Sequence, residues 1–402
     1  MIMKLIITAV FPPEPIVSAN LSSDIANELS KNSEQVKVVS PKPSRPFGHK
    51  FKKAENKNSS FEHQIVNSYV CPKSKLIGRL RESISFGMAC KKVISENSKS
   101  LSVIYMNTWP LFAQYFVVKT AKKNKIPIVF HVQDIYPESL IKKLPPFLSH
   151  LVYWSLVGLD KYNLKNAQKI IAISPNMKNY LSVNRGLELH KIEVIRNWQN
   201  DQNFLAYDDS NKTDSPLFTF MYVGSISTSA GVDHIIESFK GIKNKTKIRL
   251  VIAGSGSDRA KCMRLAQGES SIEFWEAPYE LIPEIQSKAD VLLLSLKKGI
   301  GLTASPSKFT AYLFSKKPVI ASMDAESDTA HSINEANCGF VVLPENVSEL
   351  TSKMQEVSNI DKSVLQNMGL QGYQYALKNL SKKQNLDRIT ELICSFKLEH
   401  QT

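Results

Sequence analysis

The chain alternates short apolar runs with helical stretches, and it does so twice. The runs of the first half are KLIITAVF (residues 4–11), QVKVVS (35–40), LSVIYM (101–106), IPIVFHV (126–132), QKIIAIS (168–174) and KIEVIRN (191–197). Each is short for a core helix and reads as a buried strand. Between them, patterns such as Leu21, Ile25, Ala26 and Leu29 set a helical face, with further helices over about 75–95 and 110–124. A polar joint over residues 197–216 follows, and the rhythm restarts with FTFMYVG (218–224), IRLVIAGSGS (248–257), IEFWEAP (272–278), ADVLLLSL (289–296), PVIA (318–321) and CGFVVLP (338–344). Strand–helix alternation with short connections predicts a doubly wound parallel sheet in each half.

The expected architecture is therefore α/β: two Rossmann-like domains, residues 1–200 and 201–381, facing across a cleft, with a last helix, about 382–402, returning to the first domain. Ligands of open α/β sheets bind beyond the carboxyl ends of the strands. Residues 41–62 are polar, basic and proline-containing, and read as a long, mobile loop. No apolar run approaches the ~18 residues of a membrane span. The start, MIMKLIITAVFPPEP, breaks at Pro12 and reads as a first strand rather than a signal peptide. Five scattered cysteines without ligand or redox spacing suit a reduced, cytoplasmic protein.

Charge is unevenly placed. Residues 1–200 carry 29 Lys and Arg against 13 Asp and Glu, a net of +16. The remainder holds 22 basic and 24 acidic residues, a net of −2. A basic first half suits an anionic surface. No helix-turn-helix, RNA-binding or zinc-finger pattern favours nucleic acid. A lysine-rich solvated face accounts for the same charge without a partner.

Residues 298–322, KGIGLTASPSKFTAYLFSKKPVIAS, hold the best anion-site signal. Ser305 is placed to cap a helix with Pro306 at its first position and Ser307 and Lys308 in its first turn. Exposed N–H groups and the positive dipole end would sit there beside a lysine. The Gly299–Gly301 loop before it keeps backbone bulk low. An ordinary capped helix explains the same residues.

The order of motifs resembles the family 4 retaining glycosyltransferases of the GT-B fold, in the branch of bacterial surface-polysaccharide enzymes similar to fucosamine transferases. The resemblance runs over nearly the full length. It rests on FPPE (11–14), HVQDIYPES (131–139), AISPNMKNYL (172–181), VIRNWQND (194–201), YVGSIS (222–227), VIAGSGSD (251–258) and SPSKFTAYLFSKKPVIA (305–321). Departures accompany it. The Gly-Gly pair after the first strand is replaced by Ile16 and Val17, with Ser18 and Asn20 beside them. A His-Asp pair appears as Gln133-Asp134. The donor-gripping Arg and Lys are replaced near Ser225 and Ala230. The Glu-x7-Glu element aligns with Thr303 and Ala311.

The resemblance implies transfer of a sugar from a nucleoside-diphosphate sugar, with retention, to a lipid-linked or glycan acceptor in surface-polysaccharide biosynthesis. It implies no cofactor beyond that donor. Donor residues would be Gly224, Ser225, Gly254, Gly256, Ser305, Ser307, Lys308 and Tyr312, with Lys308 as the cation on the departing diphosphate. Acceptor residues would be Ser18, Asn20, Asp134, Glu138 and Asn197. Asp134 either orients the acceptor hydroxyl or caps the segment after it; Asn197 touches substrate or fixes the joint. Tyr312 is equally a core residue, and His131 reads as strand interior. No His/Asp/Glu cluster or Asp-x-Asp pair suggests a metal.

Residues 141–159, IKKLPPFLSHLVYWSLVGL, and 76–92, LIGRLRESISFGMACKK, combine basic and apolar character. Each suits an interfacial helix or a helix packed on its own sheet. With the basic half, they point to a peripheral place on the inner face of the cytoplasmic membrane. Two other readings stay open: a nucleotide-sugar 2-epimerase of the same fold, and a non-catalytic partner of another transferase.

Overall fold

The computed structural model describes residues 2–45, 60–71, 76–107, 110–141, 145–198, 201–208, 215–301 and 306–397. The chain divides into two compact units: residues 1–197 with 385–402, and residues 198–384. The division falls after Asn197, not after residue 200.

The first unit runs β1 (Met3–Ile7), α1 (Val17–Lys31), β2 (Gln35–Ser40), β3 (Glu62–Ile65), α2 (Leu76–Asn97), β4 (Leu101–Asn107), α3 (Leu111–Lys123), β5 (Ile128–Val132), α4 (Glu138–Ile141), α5 (Pro146–Lys165), β6 (Lys169–Ala172), α6 (Pro175–Arg185) and β7 (Ile192–Val194). Its seven strands are all parallel in the order β3-β2-β1-β4-β5-β6-β7. The chain doubles back between β1 and β4, which is the switch point where such sheets bind ligands. β4 and β5 are buried along their whole length, as strands covered on both faces must be. Edge strand β3 replaces the end of the loop expected over 41–62; residues 46–59 of that loop lie outside the described residues.

The second unit runs α7 (Gln202–Leu205), β8 (Phe218–Val223), α8 (Val232–Lys240), β9 (Ile248–Ala253), α9 (Arg259–Leu265), β10 (Ile272–Trp275), α10 (Ile282–Ser287), β11 (Val291–Ser295), α11 (Ser307–Phe314), β12 (Val319–Ser322), α12 (Asp328–Glu335), β13 (Gly339–Val342), α13 (Val347–Val357) and α14 (Lys362–Asn379). Its six parallel strands are ordered β10-β9-β8-β11-β12-β13, with the switch between β8 and β11. β8 divides its side chains between two cores: Phe220 and Tyr222 to one face, Met221 and Val223 to the other.

The last helix, α15 (Lys382–Cys394), begins in the second unit, and residues from 385 onward belong to the first. Buried Lys4 donates to the Phe396 carbonyl at 2.9 Å, and Arg388 pairs with Glu193 at 3.1 Å. The motif AISPNMKNYL is a helix start. The Ser174 hydroxyl accepts from the Met177 amide, Pro175 takes the first turn, and Gly186 closes α6 in the left-handed region at φ 62°.

Candidate functional site

The carboxyl ends of β8 and β9 carry the glycines singled out in the sequence. A Cβ on Gly254 would stand 2.2 Å from the Gly224 carbonyl oxygen, and one on Gly256 would stand 2.1 Å from that of Ile226. The Gly254 amide donates to Trp275 O at 3.0 Å. These two glycines therefore let the loops after β8 and β9 close on one another. Glycine is required at both positions by this packing.

Lys308 crosses this junction. Its Cε lies 2.1 Å from where a Cβ on Gly224 would be, so only glycine leaves room for the lysine stem. The ammonium stands 5.1 Å from the Tyr222 ring centroid and 3.5 Å from the carbonyl oxygen of exposed Ser225. Burial lowers its pKa, and no charged group contributes to the shift. Lys308 is half-buried. Nearby cations are differently placed. Arg259 is paired with Glu276 at 2.9 Å and Lys261 with Asp233 at 2.7 Å. Among the described residues, Lys308 carries no carboxylate partner. A half-buried cation without a counter-ion favours an anionic ligand.

One turn further along α11, Tyr312 is fully buried, and its hydroxyl accepts from the Val223 amide at 2.9 Å and donates to the Val223 carbonyl at 3.0 Å. Both bonds go to the backbone at the end of β8, so Tyr312 acts as a strut there. α11 begins at Ser307 with Pro306 in the cap position and no side-chain cap. The predicted cap, Ser305, and Thr303 lie outside the described residues, as does the side chain of Ser307. The Gly299–Gly301 loop does not offer its first amide to a ligand. Gly299 N–H is taken by the buried Asp324 carboxylate at 2.9 and 3.0 Å, and Lys298 N–H by Glu345 at 3.2 Å. Asp324 and Glu345 were not legible beforehand, because they come from after β12 and β13.

In the first unit, exposed Asp134 stands in the bend after β5. Glu138, four residues on, is committed elsewhere: both its oxygens accept from Arg185 Nη2, at 2.8 and 2.7 Å, and Oε1 also accepts from the Tyr180 hydroxyl at 2.6 Å. These contacts give Glu138 a structural part in holding the start of α4 to α6. Ser18 and Asn20 lie in the first turn of α1, half-buried and exposed respectively. Glu14 of the FPPE motif is buried and accepts from the amides of Phe11, Ser44 and Arg45, which pins the chain beyond β2. His131 is interior, as its place in a strand implied. Its Nδ1 lies 2.7 Å from the Tyr105 hydroxyl, and burial holds its pKa down to about 3. Asn197 is half-buried at the end of the first unit.

Among the described residues, no group of three His, Cys, Asp or Glu side chains is placed to hold a metal, and no helix is long and apolar enough to cross a membrane. α5 does expose an apolar stripe. Leu148, Leu151 and Trp154 face outward, the last two 70% and 65% exposed, and the stripe continues into exposed Lys161 and Lys165. Lys142 and Lys143 and the Phe147 side chain lie outside the described residues.

The two units match two family models: residues 19–202 match Glycosyltransferase Family 4, and residues 218–359 match Glycosyl transferases group 1. The probable glycosyltransferase WbjE of Pseudomonas aeruginosa is 20% identical over 249 residues, 59% of this chain and 61% of that protein. Among solved structures, Anabaena Alr3699/HepE in complex with UDP is similar with a TM-score of 0.68 at 15% identity, covering 98% of this chain and 100% of that one. WaaG, a glycosyltransferase involved in lipopolysaccharide biosynthesis, is similar with a TM-score of 0.62 at 15% identity, over 98% and 99% of the two chains. With a Family 4 domain in its first unit, a group 1 domain in its second and two parallel α/β sheets, the chain belongs to the family 4/group 1 glycosyltransferases of the GT-B fold.

Proposed function

We propose that the chain transfers a sugar from a nucleoside-diphosphate sugar to a lipid-linked glycan acceptor, with retention of anomeric configuration, in the assembly of a bacterial surface polysaccharide. The observation that carries this reading is Lys308: a half-buried ammonium at the switch point of the second sheet, with burial and no charge partner setting its pKa. Departure of a nucleoside diphosphate puts negative charge where a fixed cation and the first-turn amides of α11 can stabilise it. A dianion arriving there would also restore the proton affinity that burial takes from the ammonium. Same-face attack by the acceptor needs no protein nucleophile, and Asp134 is the carboxylate proposed to orient the incoming hydroxyl. Relatives supply support in kind: HepE was solved with UDP, and WaaG is involved in lipopolysaccharide biosynthesis.

The acceptor side is proposed to be a membrane surface. The first 200 residues carry a net +16, and α5 presents Leu148, Leu151 and Trp154 beside Lys161 and Lys165. An apolar stripe running into lysines suits the headgroup layer of an anionic bilayer. The test is a thermal-shift screen of nucleoside diphosphates and nucleotide sugars with and without chelator. A ligand that binds only the folded chain raises the midpoint with its concentration. The sugar donor that shifts the chain should then be consumed with a lipid-linked acceptor, giving a glycosylated lipid by mass spectrometry. Binding and transfer should persist in chelator. Absence of any shift across the panel would overturn the reading, as would isomerisation of the nucleotide sugar without an acceptor.

A further inference from the structure

Among the described residues, Arg185 is the most completely buried cation of the first unit, and no part of the proposed transfer chemistry uses it. It ends α6, next to the left-handed Gly186. Its side chain is 0% exposed and joins two separate segments, 136–138 and α5. Nε donates to Asp160 Oδ2 on α5 at 2.6 Å. Nη2 donates to both oxygens of Glu138 at the start of α4 and, at 2.9 Å, to the carbonyl of Tyr136. Tyr180, also on α6, donates to the same Glu138 carboxylate. Among the described residues, Nη1 is buried without a partner.

Stability alone is a poor reason for this arrangement. Two carboxylates share one guanidinium, so the cluster carries a net formal charge of −1 in the interior. Burial pushes the Asp160 carboxyl up to about 6, even against the pull of Arg185. Well-packed apolar residues would commonly be as stable or more so. What the cluster does supply is geometry. A guanidinium fork fixes angles as well as distances. Its Nη2 grips Tyr136 and Glu138, two and four residues beyond Asp134. Its Nε grips Asp160, the first buried residue described in α5. N-terminal to Asp160, residues 148–159 of that helix include none that is buried, and they carry the outward stripe of Leu148, Leu151 and Trp154. One side chain thus joins the loop bearing Asp134 to the helix with the apolar outer face.

We propose that Arg185 is a positioning residue that couples α5, seated on an anionic lipid surface, to the placement of the Asp134 loop. The proposal rests on the membrane reading above. It assigns a role to Arg185, Glu138 and Asp160 as a relay: movement of α5 at the surface is transmitted through a rigid guanidinium, because its Nε and its Nη2 are bonded to different segments. A lysine at 185 would keep the charge and lose the fork, so it could not hold Asp160, Glu138 and the Tyr136 carbonyl together.

Hydrogen–deuterium exchange of the full chain, with and without vesicles of phosphatidylethanolamine and phosphatidylglycerol, tests this without knowledge of donor or acceptor. In the wild type, vesicles should slow exchange in residues 148–159 and also change it in residues 133–141. In Arg185→Lys the first effect should remain and the second should be lost. Glu138→Gln, at the outer side of the cluster where the carboxylate is 18% exposed, provides a second variant should Arg185→Lys not fold. It should weaken the loop response and leave the α5 response intact. Wild-type binding with an unchanged loop response in a folded variant would overturn the relay alone. Wild-type protein that shows no vesicle effect at all would overturn the membrane reading and the relay with it. A merely structural Arg185 would raise exchange in the loop equally with and without vesicles, which also refutes the proposal.

Discussion

Replacing Lys308 by alanine should separate stability from binding. The ammonium is half-buried with no carboxylate on it, and burial lowers its pKa, so the folded chain gains little from its charge. Loss of the stem over Gly224 and Tyr222 removes some packing, while loss of the desolvated charge offsets it. The net change should lie within about 0.5 kcal/mol, a melting shift of about 2 °C or less for a unit of this size. Binding should respond quite differently. A hydrogen bond to a charged group is worth about 1.5–3 kcal/mol, which corresponds to roughly 10- to 100-fold in the affinity for a nucleoside diphosphate. Turnover should fall by roughly 10²–10³, the scale for one preorganised contact to developing charge. Calorimetric titration with UDP or GDP, whichever binds, beside thermal melts of the same preparations reads both quantities. Gly224→Ala gives an independent approach to the same group. Its Cβ would fall 2.1 Å from Lys308 Cε, at a backbone φ of 140°, so the lysine must leave its place. The double variant should lose scarcely more affinity than either single one, because both remove the same contact. Unchanged affinity in Lys308→Ala, or a loss of affinity matched by a comparable loss of stability, would refute the assignment.

Three further outcomes follow from the described contacts. Tyr312→Phe leaves the buried Val223 amide unpaired and should cost about 1–3 kcal/mol in urea unfolding, while lowering nucleotide affinity less than Lys308→Ala does; full stability would contradict the strut. Asp160 has a folded pKa of about 6 against an ordinary value of 3.8, so the native state binds its proton more tightly than the unfolded chain. Its contribution to stability should grow by at most about 3 kcal/mol as pH falls from above 6 towards 4, and Asp160→Asn should lack that part of the pH dependence; identical profiles would refute it. The full chain should co-sediment with anionic vesicles at low salt, and the part of binding that survives 1 M salt, where screening shortens to about 3 Å, should vanish in Trp154→Ser; no binding at low salt would discard the membrane face.

The sheets were legible because their signal is local and repeated. Apolar runs such as IVFHV and VLLLS become strands buried at every position, and parallel order follows from the helices between them. Lys308 was legible because a proline fixes the start of its helix and the lysine lies two residues on. Other residues had no local signature. Glu138 looks like a substrate carboxylate in HVQDIYPES, yet its partner Arg185 lies 47 residues away on α6. A hint was present: Leu181 and Arg185 are four residues apart on one face of α6, and both are buried. Tyr312 could be read either way from the sequence, and only the position of the Val223 backbone decides it. Asp324 and Glu345 reach the Gly299 loop from neighbouring connections, so their contacts depend on strand order rather than on spacing.

The departures from the family pattern become intelligible once these contacts are considered together. The donor-gripping cations are replaced near Ser225 and Ala230, and the carboxylates of the Glu-x7-Glu element are replaced at Thr303 and Ala311. On that resemblance, both signs of charge are missing from these motifs. Loss of the cations alone would leave carboxylates facing an incoming diphosphate, which would oppose it. Loss of the carboxylates alone would leave several unpaired cations crowded together. Losing both keeps the balance of these motifs, and Lys308 and Lys297 remain as half-buried lysines beside the loops after β8 and β11. The remaining acids nearby are already occupied: Asp324 by the Gly299 amide, Glu345 by Lys298 N–H, Asp233 by Lys261 and Glu276 by Arg259. None of these four carboxylates is thus free to oppose a diphosphate arriving at Lys308. This is a sparser site than the family pattern implies, and its dependence on Lys308 should be correspondingly steep.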